Sequence, residues 1–267
     1  MSILRRNNVH VLDGGSKTLL YAHGFGCSQN MWDRITPAFA GEYTQVLFDY
    51  VGSGQSDMGA FDPQRYSSLQ GYAQDLIDVC DALSLKSDVI FIGHSVSCSI
   101  GMLAAIARPA LFSKLVLLGP NPCFVNDAAG YVGGFERADL EGLLALMEQN
   151  YIGWASYLAP VVSAQEESGT VTRELSASFC STDPVAARVF AQATFFSDNR
   201  ADLPKVSQPC LVLQHRNDAL APVGVGEYVH AQLPHSTLKV LEVSGHCAHM
   251  SHPGAVIESI RAFIQPA

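Results

Sequence analysis

Three residue types that together turn a hydroxyl into a nucleophile occur in this chain in a fixed order. Ser95 lies in Gly93-His94-Ser95-Val96-Ser97, Asp218 in "LVLQHRND", and His246 in "LEVSGHCAHM". A serine hydroxyl is a poor nucleophile at its ordinary pKa, so it needs a base within reach and a backbone that presents it. Val89 to Ile92 form a short apolar run before Ser95, and Ile100, Leu103, Ala104 and Ala107 mark a helical stripe after it. A serine on a sharp strand-to-helix turn needs small residues two places before and after it, because strand and helix nearly touch there. Gly93 meets that need. Ser97 is larger than glycine, so it must widen the approach or find a neighbour that yields.

If Ser95 is the nucleophile, the base and its orienting acid should follow it, each just after a late strand. Asp218 follows the run Leu211 to Leu213, and His246 follows Leu238 to Val243. His246 would take the Ser95 proton while Asp218 holds its tautomer and stabilises the imidazolium. Asp218 could instead cap the helix that follows. His249 and His252 rival His246, but the Gly245-His246 step directly after the strand favours His246, and the other two read as loop or surface residues. "HCAHMSH" lacks a carboxylate or second cluster at ligand spacing, so no metal site is expected.

Acyl transfer also needs donors where negative charge develops. The backbone N–H of Val96, next after the serine, is one candidate. The other is the Phe25 N–H in His23-Gly24-Phe25-Gly26, an H-G-x-G loop after the run Leu19 to Ala22. "FDYVGSGQSD" invites a dinucleotide reading through Gly52 and Gly54, but it lacks the third glycine and a suitably placed acid. Asp49, Gly52, Gly54 and Ser56 are expected to fix a tight loop, and no cofactor is expected.

The elements around these residues alternate. Branched apolar runs at Leu19 to Ala22, Val46 to Phe48, Val89 to Ile92, Leu115 to Leu118, Leu211 to Leu213 and Leu238 to Val243 predict strands buried on both faces of a parallel sheet. Helical patterns lie between several of them, including "SLQGYAQDLIDVCDAL" with Ser67 or Ser68 as its N-cap. The class predicted is α/β, a mostly parallel sheet with helices on both faces. From Phe124 to Phe196 the patterns are helical only, and these 73 residues hold ten of the 24 aromatic side chains. A small helical layer needs large side chains to make any core of its own. Those side chains could also form the inner wall of a lid, and Phe25, Phe124, Phe135, Trp154, Tyr157, Phe195 and Phe196 are the candidates to line an apolar pocket.

With 267 residues the chain reads as one domain, 1–267, with the helical segment 124–196 inserted. A formal charge of −9 with 16 Lys and Arg, none in a long run, argues against nucleic acid. Seven scattered cysteines, never C-x-x-C, suggest neither disulfides nor zinc. The start lacks a signal-peptide core and no apolar run reaches the length of a membrane span, so a cytoplasmic protein is expected.

The order of elbow, acid, histidine and oxyanion loop resembles the α/β-hydrolases. Several segments, among them "FDYVGSGQSD", "GHSVS", "NYIGWA", "FCSTDPVAAR", "FFSDNRADL" and "GHCAHMSHP", resemble more closely the RsbQ type, a bacterial hydrolase that regulates the stress sigma factor, and its plant relatives, the karrikin and strigolactone receptors. The resemblance implies a Ser95, Asp218, His246 triad, a four-helix lid over a mostly hydrophobic cavity, and a small hydrophobic ester-like or lactone-like ligand. It also implies a PAS-containing phosphatase as signalling partner. RsbQ has glycine at the position of Ser97, whereas the plant receptors have the same Gly-His-Ser-Val-Ser. A metabolic carboxylesterase without a partner, or a ligand-binding receptor with little catalysis, are the alternative functions.

Overall fold

The computed structural model describes residues 2–265. After a short helix α1 (Ile3–Arg6), the chain forms β1 (His10–Leu12), β2 (Thr18–Ala22), β3 (Thr44–Leu47), α2 (Leu69–Ala82), β4 (Val89–His94), α3 (Val96–Ala107) and β5 (Phe112–Leu118). Four helices follow in succession: α4 (Arg137–Gln149), α5 (Tyr151–Ser163), α6 (Thr170–Ser181) and α7 (Pro184–Phe195). The alternation resumes with β6 (Cys210–Asn217), α8 (Val223–Gln232), β7 (Ser236–Ser244), α9 (Ala248–Ser251) and α10 (Pro253–Ile264).

The strands make one seven-stranded sheet in the order β1-β3-β2-β4-β5-β6-β7, parallel except for β1, which pairs antiparallel with β3. Strands β2 and β4 are buried throughout, as their unbroken apolar runs require. Apolar cores lie on both faces of the sheet, one built on Trp32, Phe39, Val116 and the four-helix segment, the other on Leu76, Phe91, Cys98 and Leu117.

Three local expectations are corrected. β7 is not buried on both faces: it is the sheet edge, its exposure alternates, and only Leu241 is fully covered. Ser68 occupies the N-cap position of α2 but its side chain makes no capping bond, and Gly71 N–H reaches its carbonyl instead. β1 was not foreseen, because three exposed residues carry no apolar run.

Candidate active site

Ser95 stands between β4 and α3 with φ 59° and ψ −123°, outside the regions L-residues ordinarily adopt. Its N–H donates to Leu118 O at 2.8 Å, which pins the strained residue to the end of β5. A Cβ on Gly93 would come within 2.5 Å of the Phe91 ring and 3.0 Å of the Ser97 carbonyl carbon, so glycine there is required by contact. Ser97 needs no yielding neighbour. Its side chain is fully buried and hydrogen-bonded to His23 O and to the Tyr50 hydroxyl.

Asp218 lies one residue beyond β6 and divides its carboxylate between two tasks. Oδ1 accepts the N–H groups of Leu220 and Ala221 at 2.8 and 3.0 Å, which closes the loop. Oδ2 accepts from His246 Nδ1 at 2.7 Å. The helix-cap reading is thus displaced: α8 begins later, with Pro222 at its N-cap. Burial would raise the Asp218 carboxyl, but the adjacent His246 imidazole and its hydrogen bond, with the His215 ring close by, outweigh it and hold the group well below the usual carboxylate range. Because Nδ1–H donates to the carboxylate, the Nε2 lone pair of His246 is left for other work. Nε2 is buried and has no hydrogen-bond partner among the described residues, so Ser95 Oγ and His246 line one cavity without a hydrogen bond between them. Catalytic hydrogen bonds are often long before substrate binds.

The histidine loop is fixed from two directions. Gly245 has φ 93° and lies so close to α5 that a Cβ would sit 2.4 Å from Ser163 O, and His246 N–H donates to Val162 O at 2.7 Å. Across the sheet, His94 Nε2 reaches His246 O at 3.0 Å. Gly119, with φ 57°, leaves room for the imidazole: a Cβ there would be 3.0 Å from His246 Cε1.

Sequence reasoning missed the imidazoles behind this site. His249 is wholly buried, contrary to the surface role expected, its ring 4.7 Å from Trp32 and 4.5 Å from His94. The one-turn helix α9 rotates it inward, while His252 remains exposed. His215 is also buried, with Nδ1 3.5 Å from Asp218 Oδ2, too long for a strong bond. Burial pushes His94 and His249 well below the ordinary imidazole value, aided by neighbouring histidines, so both are neutral.

The His23 to Gly26 loop packs against the turn that carries Ser95. A Cβ on Gly24 would meet His94 Nδ1 at 2.6 Å, so only glycine allows this approach. Phe25 follows, and Val96 opens α3, where the first N–H groups have no intrahelical acceptor. The "FDYVGSGQSD" segment forms the expected tight loop: Asp49 accepts from Gln29 N, Gln55 N and Asn8 Nδ2, and Ser56 Oγ accepts from Gly52 N and Ser53 N.

Ser95 and His246 open into a cavity with about 30 Å³ of free volume, lined by Phe25, Phe124, Leu158, Val162, Phe179, Phe195 and Leu220. Of the candidate lining residues, three are thus brought together: Phe25, Phe124 and Phe195. Trp154 is buried behind Phe25, with ring centroids 5.9 Å apart. Phe135 packs on Phe124 from outside the cavity, and Phe196 is covered by the Arg137 guanidinium. Tyr157 is 61% exposed, because the buried stripe of α5 runs through Trp154, Leu158 and Val162 and leaves it on the opposite side. Phe179 and Leu158 were missed as lining residues, although Leu158 lies four residues from the candidate Trp154 and so on the same helix face. A larger groove, about 690 Å³, lies outside between Asn30 to Arg34 and α6, and it reaches none of Ser95, Asp218 or His246.

The α/β-hydrolase family model matches residues 19–259, and the chain belongs to that family. Its relatives include proteins named as receptors and as esterases. A karrikin insensitive 2 receptor of Petunia hybrida is 40% identical over 94% of this chain and 93% of the receptor. The strigolactone esterase D14 of Arabidopsis thaliana is 36% identical over 97% of each chain. A hydrolase from Oleispira antarctica has a solved structure 47% identical to this chain, with a TM-score of 0.96 over 99% of this chain and 97% of its own. Among the described residues no helix is long and apolar enough to cross a membrane.

Proposed function

We propose that the protein is a serine hydrolase that cleaves a small hydrophobic ester or lactone, with Ser95 as nucleophile, His246 as base and Asp218 as its orienting acid. The observation that carries this reading is the 2.7 Å bond from His246 Nδ1 to Asp218 beside a strained Ser95 in one apolar cavity. As substrate enters, His246 Nε2 accepts the Ser95 proton while Oγ adds to the carbonyl carbon, and the N–H groups of Phe25 and Val96 bind the oxygen that gains charge. The imidazolium then protonates the leaving alkoxide, and water repeats the sequence on the acyl-serine. The segment 124–196 acts as lid: its residues Phe124, Leu158, Val162, Phe179 and Phe195 supply most of the apolar wall. A cavity of about 30 Å³ holds little more than a water molecule. Ligand admission therefore requires the apolar wall to give way.

The similarity to receptors supports signalling as the use of this chemistry; the RsbQ manner of signalling, with a PAS-containing phosphatase as partner, rests on the sequence resemblance alone. Ser95→Ala tests the catalytic part. Hydrolysis of p-nitrophenyl acetate should fall by at least about 10³-fold with folding unchanged. Retained hydrolysis would refute the assignment, and co-purification without any such phosphatase would leave an esterase acting alone.

A further inference from the structure

Ser97 does more than fill the small-residue position of the elbow. Its hydroxyl donates to His23 O, since a carbonyl can only accept. Serine has one hydroxyl proton, so in the 2.9 Å contact with Tyr50 the phenol donates and Ser97 Oγ accepts. The proton count closes around the loop. Tyr50 N–H donates to His23 Nε2 at 3.1 Å, which leaves Nδ1 to carry the imidazole proton, and Nδ1 donates to Gly24 O at 2.9 Å. All three side chains are buried, and burial pushes His23 below the ordinary imidazole value, which preserves this single tautomer. Each donor thus has one acceptor, and no alternative arrangement of protons satisfies the set.

The network joins the two pieces of chain that carry the oxyanion donors. Phe25 N–H lies two residues beyond His23, and Val96 N–H immediately precedes Ser97 in the first turn of α3. We infer that Ser97 is a positioning residue, a hydroxyl tether through His23 and Tyr50 that sets the distance between the Phe25 and Val96 N–H groups and thereby tunes transition-state stabilisation. This rests on the reading of the site as an acyl-transfer centre. Glycine or alanine at position 97 would satisfy the elbow's steric need equally well but would release the His23 carbonyl. A shift of the donors weakens binding of the developing charge more than binding of the substrate, so the effect should fall on kcat.

The test uses Ser97→Gly, Ser97→Ala and Tyr50→Phe in the full chain, with p-nitrophenyl acetate as substrate and an aryl trifluoromethyl ketone as ligand. The ketone forms a Ser95 hemiketal whose oxygen occupies the oxyanion position. Both Ser97 variants should lose about 10-fold in kcat at little-changed KM, a fraction of what deleting an oxyanion donor costs. Ketone affinity should fall in parallel, and Tyr50→Phe should lose about 3-fold. A hydroxyl that merely packs would change thermal stability and leave both readouts alone, and wild-type kcat with wild-type ketone affinity overturns the tether. If both Ser97 variants fail to fold, Tyr50→Phe decides, and unchanged kcat and ketone affinity there overturn it. A wild-type protein that binds no ketone and hydrolyses no faster than Ser95→Ala overturns the tether and the acyl-transfer reading together, whereas an active wild type with indifferent Ser97 variants overturns the tether alone.

Discussion

The two walls of the cavity beside Ser95 and His246 are built by different physics. On the sheet side, Ser95, His246, Asp218 and the His23 to Phe25 loop are held by directed hydrogen bonds and by glycines whose missing Cβ atoms permit contact, at Gly24, Gly93, Gly119 and Gly245. On the other side, Phe124, Phe179 and Phe195 are held by ring contacts such as Phe25 to Phe195 at 5.7 Å and Phe124 to Phe195 at 5.3 Å. Hydrogen bonds fix geometry to within tenths of an ångström, whereas apolar packing tolerates changes of shape at modest cost. A fold of this kind can keep its chemistry constant while the ligand it accepts changes.

Asp218→Asn should break the directed side most severely. The amide can still accept from Leu220 and Ala221 through Oδ1, so the loop survives, but its NH₂ would face His246 Nδ1 and enforce the wrong tautomer. A loss of about 10³ to 10⁴-fold in kcat with near-normal thermal stability is expected from stopped-flow and calorimetry. Phe195→Ala should act on the packed side instead. It should cost about 3 to 5 kcal/mol in urea denaturation, because the ring is buried among aromatic neighbours, and shift preference from acetyl towards longer acyl esters.

A graded effect should come from pH. His23, His94 and His249 are neutral because burial lowers all three, whereas in the unfolded chain each takes up a proton near pH ~6.5. The unfolded state then binds more protons, so stability falls as pH drops below about 6.5, by up to about 1.4 kcal/mol per pH unit for each histidine. Asp218 acts lower: its depressed carboxyl contributes stability above about pH 4 that is lost below it. Urea midpoints measured at pH 7, 6 and 5 should decline steadily, and a flat profile would contradict the burial of neutral imidazoles.

The directed side was also the more legible in the sequence. Ser95 and Asp218 each follow a strand with a continuous apolar run, and His246 follows the alternating edge strand β7, so local pattern places all three at the same end of the sheet. The inserted helices were legible as helices, but not which aromatic faces inward. Tyr157 and Trp154 are three residues apart on α5, and only the packing of α5 on α4 and α6 decides that one is exposed and the other buried. The buried state of His249 and the partners of Ser97 were hidden for the same reason, since both depend on contacts between segments far apart in the chain. Ser97 was visible as a departure from glycine, yet its bond to His23, 74 residues away, has no local signature.

Everything proposed for this site depends on the strained serine between β4 and α3 being the nucleophile. Incubation with a fluorophosphonate followed by intact-mass and peptide mass spectrometry tests it most directly. One phosphonyl group per chain, located on Ser95 and abolished in Ser95→Ala and His246→Ala, is the expected result. Labelling at another residue, or none under conditions where p-nitrophenyl acetate is hydrolysed, would contradict it.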